Sequence, residues 1–519
     1  MTARRWLWVL IVGSALPRLG WAASLGPMND EAYHSLFTVY PAWSYFDHPP
    51  MLAWVEAAGL FVTGRSTPLT LRLGFIALFA GSTWLMDRLA GRFYGPRAGL
   101  LAALVLNVAG YYTAAAGVFA LPDGPLLFFW LLTLNALASA REGSAPLRAW
   151  VAVGLAWGAA MLSKYHAIFL PAGALFSLLV EPSARRVLRS PGPYLGAAVG
   201  LLVFSPVIFW NATHGWASFA FQGGRAVGGL RFHPGALALG ILGPAIYLLP
   251  WIWLRLVAVL AVRGRQAFRG RGAWADRFLI CQAVLPLSAF AAVACVRPIL
   301  PHWPLVGFLP LMPMLGRDWA EHFEPGSFAL RRRVAVLSAF PLALALAFLV
   351  QSRTGLLLPA GGSRPLVAAA ADPTLDPIVW EQVAGELRRR GLVGRPDTFL
   401  FTGTWFHSGH LAMATRYATP VLCYNPTDAR GFRFWSRPAD WVGRDGILVC
   451  LDNRPTEPDF YAPWFERIEP IGEYLVERGG RPVRKVRFFR CVRQTRPFPF
   501  DGSLPPGSMA EARRVRDRT

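Results

Sequence analysis

Two carboxylates stand side by side near the start of the chain, at Asp30 and Glu31, directly after an apolar segment. A carboxylate in such a position can take the proton from a hydroxyl group as that hydroxyl attacks a substrate. An arbitrary acidic pair is more often part of a solvated loop, but Tyr33 and other aromatic residues beside this pair would dock it against an apolar surface. The placement therefore favours a functional role for the acidic pair over a solvated loop.

Cationic side chains occupy comparable places between apolar segments, at His48, Lys164, Arg297 and His302. Lys164 is conspicuous because it and Lys485 are the two lysines in the chain. Positive groups at such places can stabilise a phosphate whose negative charge grows as a bond to it breaks. The structural alternatives are a lysine that extends to a membrane interface and a histidine that meets lipid headgroups.

Further acids lie in short proline-containing stretches, at Asp47 and at Asp123. For Asp123, taken alone, the plainer interpretation is a cap on the helix that follows. Asn211, with the Ala-Thr that follows it, has the form of a glycosylation sequon. We interpret that match as accidental, in a loop anchored at a membrane interface by Trp216.

These residue types suit the cleavage of a sugar from a lipid monophosphate. The phosphate then passes from a charge of about −1 towards about −2, so cations must surround it. The attacking acceptor hydroxyl must lose its proton to a base. The sequence supplies both kinds of group, provided that the substrate is of this class.

The elements that must position these residues are membrane helices. Of the 519 residues 54% are hydrophobic and 16% are charged, and the mean hydropathy is +0.36. Apolar runs of about 20 residues can cross about 30 Å of hydrocarbon as helices. We expect a mainly α, polytopic protein of about eleven spans, near 6–22, 68–88, 98–117, 124–140, 149–163, 167–181, 194–210, 236–260, 278–296, 303–316 and 333–351.

The formal charge of +22 comes mostly from arginines in short loops between these runs. Arginine-rich short loops are typical of the cytoplasmic side of a membrane, whereas a nucleic-acid-binding protein would gather its cations on one solvated face. Alternation then places the chemically distinctive segments on the outer face: 24–67, 121–125, 163–166, 211–234, 297–303 and everything after about 352. We therefore expect chemistry on the outer face and no nucleic-acid partner.

The pattern also predicts domains: a transmembrane domain at 1–351, a linker at 352–372 and a small α/β domain at 373–519 whose end, from about 497, is disordered. Strands are expected at 398–402, 420–424, 446–451 and 483–492, with a helix at 406–415. Residues 51–62, which include Glu56, are expected to form an interfacial helix. The five cysteines show no metal-binding spacing, and one disulfide among Cys423, Cys450 and Cys491 is left open.

Several motifs occur together in an order that resembles a known family. They are Asp30-Glu31, Phe-Asp-His-Pro-Pro at 46–50, Pro-Asp-Gly-Pro-Leu at 122–126, Leu-Ser-Lys-Tyr at 162–165, Trp-Asn at 210–211 with Gly-Trp at 215–216, and Pro-His-Trp-Pro at 301–304. These motifs resemble the GT-C membrane glycosyltransferases, specifically bacterial relatives of dolichyl-phosphate-mannose protein mannosyltransferases and of the lipid A aminoarabinose transferase. The resemblance covers most of residues 15–320 and, more loosely, the tail.

The resemblance implies that Asp30 is the catalytic carboxylate. It also implies that His48 stands where the aminoarabinose transferases carry a phosphate-binding lysine. Since an ordinary histidine is only partly charged at neutral pH, Lys164 is expected to supply the fixed charge instead. Asp47 matches an acid that helps some relatives to hold a divalent metal, and whether this chain binds one is left open.

The resulting prediction is an inverting glycosyltransferase of the bacterial inner membrane that needs no cofactor. It would move a sugar from a polyprenyl-phosphate donor to an envelope glycolipid or glycan, such as lipid A, on the periplasmic face. In this mechanism Asp30 is the base, and the substrate-binding residues are Glu31, Tyr33, Asp47, His48, Asp123, Lys164, Arg297 and His302. The alternatives are a protein O-mannosyltransferase-like enzyme, a transporter or flippase for lipid-linked sugars, and a non-catalytic assembly partner.

Overall fold

A computed structural model describes residues 2–141, 146–226, 231–271, 273–324, 326–356, 372–453 and 457–500. The chain forms two compact units. The first comprises residues 1–22 and 42–343, and the second comprises 23–41 and 344–519.

Helices make up the first unit, and the first and last of them extend past its bounds. Their bounds are α1 Ala3–Ser24, α4 Met51–Thr63, α5 Pro68–Tyr94, α6 Pro96–Val108, α7 Asp123–Arg141, α8 Leu147–Ser163, α9 Phe169–Val180, α10 Gly192–Thr213, α11 Ala217–Ala226, α12 Pro234–Leu242, α13 Pro244–Leu248, α14 Pro250–Gln266, α15 Trp274–Val296, α16 Met312–His322 and α17 Phe328–Thr354. Helix α4 confirms the helix expected at 51–62.

The structure does not confirm the expected number of spans. Within the described residues, six helices are long and apolar enough to cross a membrane, namely α1, α5, α7, α10, α15 and α17. A seventh span arises if α12–α13 and α14 are counted as one span, although the chain bends by 119° between them. Four shorter apolar helical segments, Met51–Thr63, Pro96–Val108, Leu147–Ser163 and Tyr165–Val180, fall below that length. The multi-pass, mainly helical class is confirmed, but the count of eleven spans is not.

The corner between α4 and α5 shows how local sequence sets a helix boundary. Gly64 ends α4 in the left-handed region, with a φ of 65° that suits a residue without a Cβ. Pro68 opens α5, and Thr67 caps it. The Thr67 hydroxyl accepts the Thr70 backbone N–H at 3.2 Å, and the Thr70 hydroxyl accepts the Thr67 N–H at 2.9 Å. These bonds satisfy backbone donors that a helix start otherwise leaves exposed.

Helices α8 and α10 pack through small residues. A Cβ added to Gly154 would lie 2.4 Å from the Gly196 carbonyl oxygen, and one added to Gly158 would lie 2.5 Å from the Val203 side chain. In membranes such small residues allow two helix backbones to approach closely. This packing holds the end of α8, and Lys164 is the residue that follows it.

The second unit contains α2 Asn29–His34, α3 Leu36–Val39, α18 Asp376–Arg389, α19 Trp405–Ala414 and α20 Phe432–Trp435. Its five strands are β1 Thr398–Thr402, β2 Val421–Cys423, β3 Asp445–Leu451, β4 Phe465–Arg478 and β5 Arg481–Gln494, and they form one mixed sheet in the order β2-β1-β3-β5-β4. Strand β1 runs parallel to β2 and β3, whereas β5 is antiparallel to β3 and β4.

The second unit confirms the small α/β fold and the four expected strands, and it adds β4. Cys423, Cys450 and Cys491 are buried, and among the described residues no disulfide joins any two of them. Residues 357–371 of the expected linker and 501–519 of the expected disordered end lie outside the described residues. Phe498 is buried and stacks on Tyr424 with a centroid separation of 4.4 Å, so packing reaches at least this far along the tail.

Candidate active site

A buried ion pair joins Asp123 and Lys164 in the first unit. The Lys164 Nζ lies 2.9 Å from each of the two Asp123 carboxylate oxygens. Asp123 begins α7, and Lys164 follows α8 in an extended conformation, so two adjacent helix ends present the pair. Only about a tenth of either side chain is exposed. Lys164 therefore does not extend away to an interface, and the Asp123 carboxylate holds its ammonium group.

His302 and Tyr111 adjoin this pair. The Tyr111 hydroxyl hydrogen-bonds the Asp123 carboxylate, which also interacts electrostatically with His302. The His302 imidazole stacks on the Tyr111 ring, with centroids 5.5 Å apart and planes 14° apart. Tyr247 contacts both rings edge-on. The structure thus brings together three of the predicted residues, Asp123, Lys164 and His302.

His166, on the turn after Lys164, connects this group to His48. Its imidazole interacts electrostatically with Lys164, Asp123, His302 and His48. It packs edge-on against Phe290, with centroids 5.0 Å apart. Sequence reasoning missed both His166 and Tyr111. The available signal for His166 was its position two residues after Lys164, whereas nothing in the local pattern singled out Tyr111.

The loop that carries His302 is tied to its neighbours by polar contacts. The Tyr112 hydroxyl donates to the Leu305 carbonyl at 2.5 Å. Arg297, just past the end of α15, donates to the Gly224 carbonyl. The Arg225 guanidinium lies over the Trp303 ring, 5.1 Å from its centroid. Arg297 therefore bonds the last turn of α11, and Arg225 is a cation beside the His302 loop that the sequence did not single out.

Helix α11 also holds the stretch that contains Asp47 and His48. Gln222 donates to the Asp47 carbonyl at 2.6 Å, and Phe46 packs on Phe221 with centroids 4.6 Å apart. Asp47 is buried, and His48 is partly buried. The adjacent carboxylate and imidazole are groups that a divalent cation could use as two of its ligands.

Asn211 has a structural role in positioning α11. Its side-chain oxygen accepts the backbone N–H groups of Ser218 and Phe219 at 3.1 and 3.2 Å, and its side chain is fully buried. The Ser218 hydroxyl in turn lies 2.6 Å from the Tyr165 hydroxyl. The buried amide caps the start of the next helix, which accounts for the asparagine in the sequon-like stretch.

The other three predicted residues, Asp30, Glu31 and Tyr33, belong to α2 in the second unit. Asp30 is exposed in the first turn. Glu31 is buried, and its carboxylate accepts the Met28 backbone N–H at 2.9 Å as part of the helix cap. Tyr33 is fully buried, and its hydroxyl accepts the Gly431 N–H at 3.0 Å. Of these three, Asp30 is the one placed to meet a solvated substrate.

Comparisons with known proteins show which proteins this chain resembles in sequence and in fold. The model of the dolichyl-phosphate-mannose-protein mannosyltransferase family matches residues 47–210, which include Asp47, His48, Asp123 and Lys164. The crystal structure of ArnT from Cupriavidus metallidurans bound to undecaprenyl phosphate is similar over 94% of this chain and 98% of that chain, with a TM-score of 0.58 and 16% identity. The chain has the fold of the GT-C membrane glycosyltransferases. The resemblance that the motifs indicated is confirmed.

Two curated relatives with sequence similarity to this chain come from Rhizobium johnstonii. The lipid A galacturonosyltransferase RgtD is 26% identical over 294 residues, which are 54% of this chain and 58% of RgtD. The lipopolysaccharide core galacturonosyltransferase RgtA is 25% identical over 286 residues, 51% of this chain and 53% of RgtA. The match thus spans between half and three-fifths of each relative.

Proposed function

We propose that this GT-C protein transfers a sugar, with inversion, from a polyprenyl-phosphate carrier to an envelope glycolipid at the periplasmic face of the inner membrane. The observation that carries the proposal is the cluster of Lys164, Asp123 and His302 with Tyr111. Its cationic groups are of the kind that a phosphate leaving group requires.

In this proposal each predicted residue has a separate task. Lys164 is the fixed cation for the carrier phosphate, and Asp123 orients it through both carboxylate oxygens. His302 and His48 add hydrogen-bond donors. Asp30 accepts the proton of the acceptor hydroxyl as that oxygen attacks the anomeric carbon. Since attack on the face opposite the phosphate inverts the anomeric centre, a single carboxylate base is sufficient.

The names of the relatives suggest which substrates to test first. RgtD and RgtA are named for galacturonosyl transfer to lipid A and to lipopolysaccharide core. We propose lipid A or another lipopolysaccharide component as the acceptor. A polyprenyl phosphate that carries a hexuronic acid is the first donor to test, and one that carries aminoarabinose is the second.

Purified full-length protein in lipid nanodiscs provides the direct test. Radiolabelled polyprenyl-phosphate sugars are offered with lipid A, with an envelope extract or with a protein-only extract. We expect label in the lipid A product and an inverted anomeric configuration by NMR. Label in protein would support the O-mannosyltransferase-like alternative. Movement of donor across liposomes without transfer to any acceptor would support a flippase.

The proposed orientation can be checked separately with fused reporters. Reporters placed after Arg97, Arg189 or Arg271 are expected to report cytoplasm, and those after Arg231 or Asp397 are expected to report periplasm. The reason is the arginine bias of the short loops, which sets the orientation of membrane proteins. Alkaline phosphatase and fluorescent-protein fusions at the same five sites serve as reciprocal measurements. A cytoplasmic signal at Asp397 would contradict the orientation.

A further inference from the structure

A short series of hydrogen-bonded side chains in the second unit includes Asn29, the residue before Asp30. The Asn29 side-chain nitrogen donates to an Asp376 carboxylate oxygen at 2.8 Å, and the His410 Nε2 lies 2.9 Å from the Asn29 side-chain oxygen. Asn29 begins α2, and Asp30 is the next residue. Asp376 begins α18, and His410 lies within α19, so these hydrogen bonds connect three helices.

The chemistry of these groups determines where the protons lie. An ionised carboxylate can accept hydrogen bonds but has none to donate. Asn29 must therefore turn its amide nitrogen towards Asp376 and its oxygen towards His410. His410 must then donate through Nε2–H. The His410 ring is buried and stacks on Trp380, with centroids 5.5 Å apart and planes 7° apart. Burial lowers the pKa of His410 to about 3, so the ring is neutral at working pH and donates through one nitrogen.

The remainder of α2 packs tightly on the same elements. A Cβ added to Gly409 would lie 2.7 Å from the Tyr33 backbone, and one added to Gly26 would lie 2.0 Å from the Pro377 carbonyl oxygen. The Tyr417 hydroxyl donates to the Ser35 hydroxyl at 2.9 Å. The start of α2 is therefore held from one side by α18 and α19, while Asp30 itself is exposed.

We propose that His410 and Asn29 are positioning residues that hold the Asp30 carboxylate in the geometry required for proton abstraction. The inference rests on the proposed function, in which Asp30 is the base. It gives the α/β unit a defined task, which is to set the direction of the first turn of α2. His410 does not touch the substrate, and its effect passes through Asn29.

The expected consequence is a loss in turnover rather than in donor binding. Misplacement of a reacting group by about 1 Å can cost about 100-fold in rate. We expect His410→Leu and Asn29→Ala each to lower kcat by about 10- to 100-fold with little change in the KM for the donor. His410→Gln should restore most of the rate, because a glutamine amide can donate to the Asn29 oxygen from a similar position.

Two controls separate positioning from general loss of structure. Ser408→Ala removes a buried hydroxyl from the same helix, but its partners are Thr402 and the Leu422 carbonyl, not α2. We expect this variant to keep its kcat. The double variant Asn29→Ala with His410→Leu should be no slower than the more affected single variant, because both changes break the same bond.

The test combines steady-state kinetics with hydrogen exchange of the backbone amides of residues 29–35, on full-length protein in nanodiscs. We expect faster exchange at the start of α2 in His410→Leu and Asn29→Ala and unchanged exchange in His410→Gln and Ser408→Ala. Wild-type kcat in both disrupted variants, or additive losses in the double variant, would overturn the inference. If the wild-type protein transfers no sugar, the proposed function fails, and unchanged exchange in Asn29→Ala would still refute the positioning role independently.

Discussion

Replacement of Asp30 by asparagine is expected to lower the rate of sugar transfer by about 10²- to 10⁴-fold, the usual contribution of a general base. Asparagine has nearly the same shape and can still form hydrogen bonds, but its amide oxygen cannot take the proton of the acceptor hydroxyl. Because Asp30 is exposed at the first turn of α2, its loss should leave membrane insertion and donor binding unchanged. Single-turnover transfer and donor binding, measured on the same preparation, check both expectations.

Glu31→Gln is the matched control for Asp30→Asn. The Glu31 carboxylate accepts the Met28 N–H in the cap of α2, and a glutamine oxygen can accept the same bond. This variant should therefore lose much less activity. Near-normal transfer by Asp30→Asn would remove Asp30 from the mechanism. Asp47 would then be the next candidate, since both oxygens of the alternative, Asp123, already bond Lys164.

Replacement of Lys164 by alanine is expected to lower kcat/KM for the sugar donor by at least about 100-fold, whereas Lys164→Arg should retain much of this efficiency. A fixed cation beside a phosphate that gains charge is worth several kcal/mol in a site with little water. The structure adds a second cost. Alanine would leave the Asp123 carboxylate buried without its cation, and breaking a buried pair in this way costs about 3 to 5 kcal/mol. A repelled phosphate and a destabilised unit would both lower activity.

A charge-neutral double variant, Asp123→Asn with Lys164→Met, separates these two causes. It removes the cation without leaving an unpaired carboxylate, so thermal stability in detergent should recover relative to Lys164→Ala. If Lys164 binds the carrier phosphate, the double variant remains poor in donor affinity and turnover. Wild-type kinetics in the double variant would show that the lysine serves only to neutralise Asp123. Expression and stability of all variants are measured alongside the kinetics.

The helices and strands that could be predicted are those whose bounds depend on short, local stretches of sequence. The apolar runs at 124–140, 149–163 and 194–210 match α7, α8 and α10 closely, because one turn of polar or proline residues bounds each run. Strand β1 was predicted at its exact bounds, since it is a short apolar run between turns. Two predicted spans instead contain breaks. The run 98–117 ends as an α-helix at Val108 and continues as a π-helical turn, and 236–260 bends at Leu249, whose φ is 73° before Pro250.

Strand β4 could not be recognised from its own residues. It contains four glutamates and Pro470, a composition typical of a solvated loop. Pairing with β5 along almost its whole length makes it a strand, and the register shifts near Pro470 and Val476 accommodate the irregular residues. Such long-range pairing is invisible to a local pattern. For the same reason, the sequence pattern assigned residues 23–41 to the transmembrane domain. In the structure they pack as part of the second unit.

By itself, the sequence determined the class of protein, because hydropathy and the arginine distribution depend on composition along the chain and on little else. It also determined which residue types could act, since Asp30, Lys164, Asp123 and His302 were identified by their position between apolar segments. Only the tertiary structure decided how they are used. It pairs Lys164 with Asp123 across 41 positions of sequence, adds Tyr111 and His166, and ties Asn29 to His410 across 381 positions. Charges and hydrogen bonds act over a few ångströms of space, and only folding brings such distant positions to that separation.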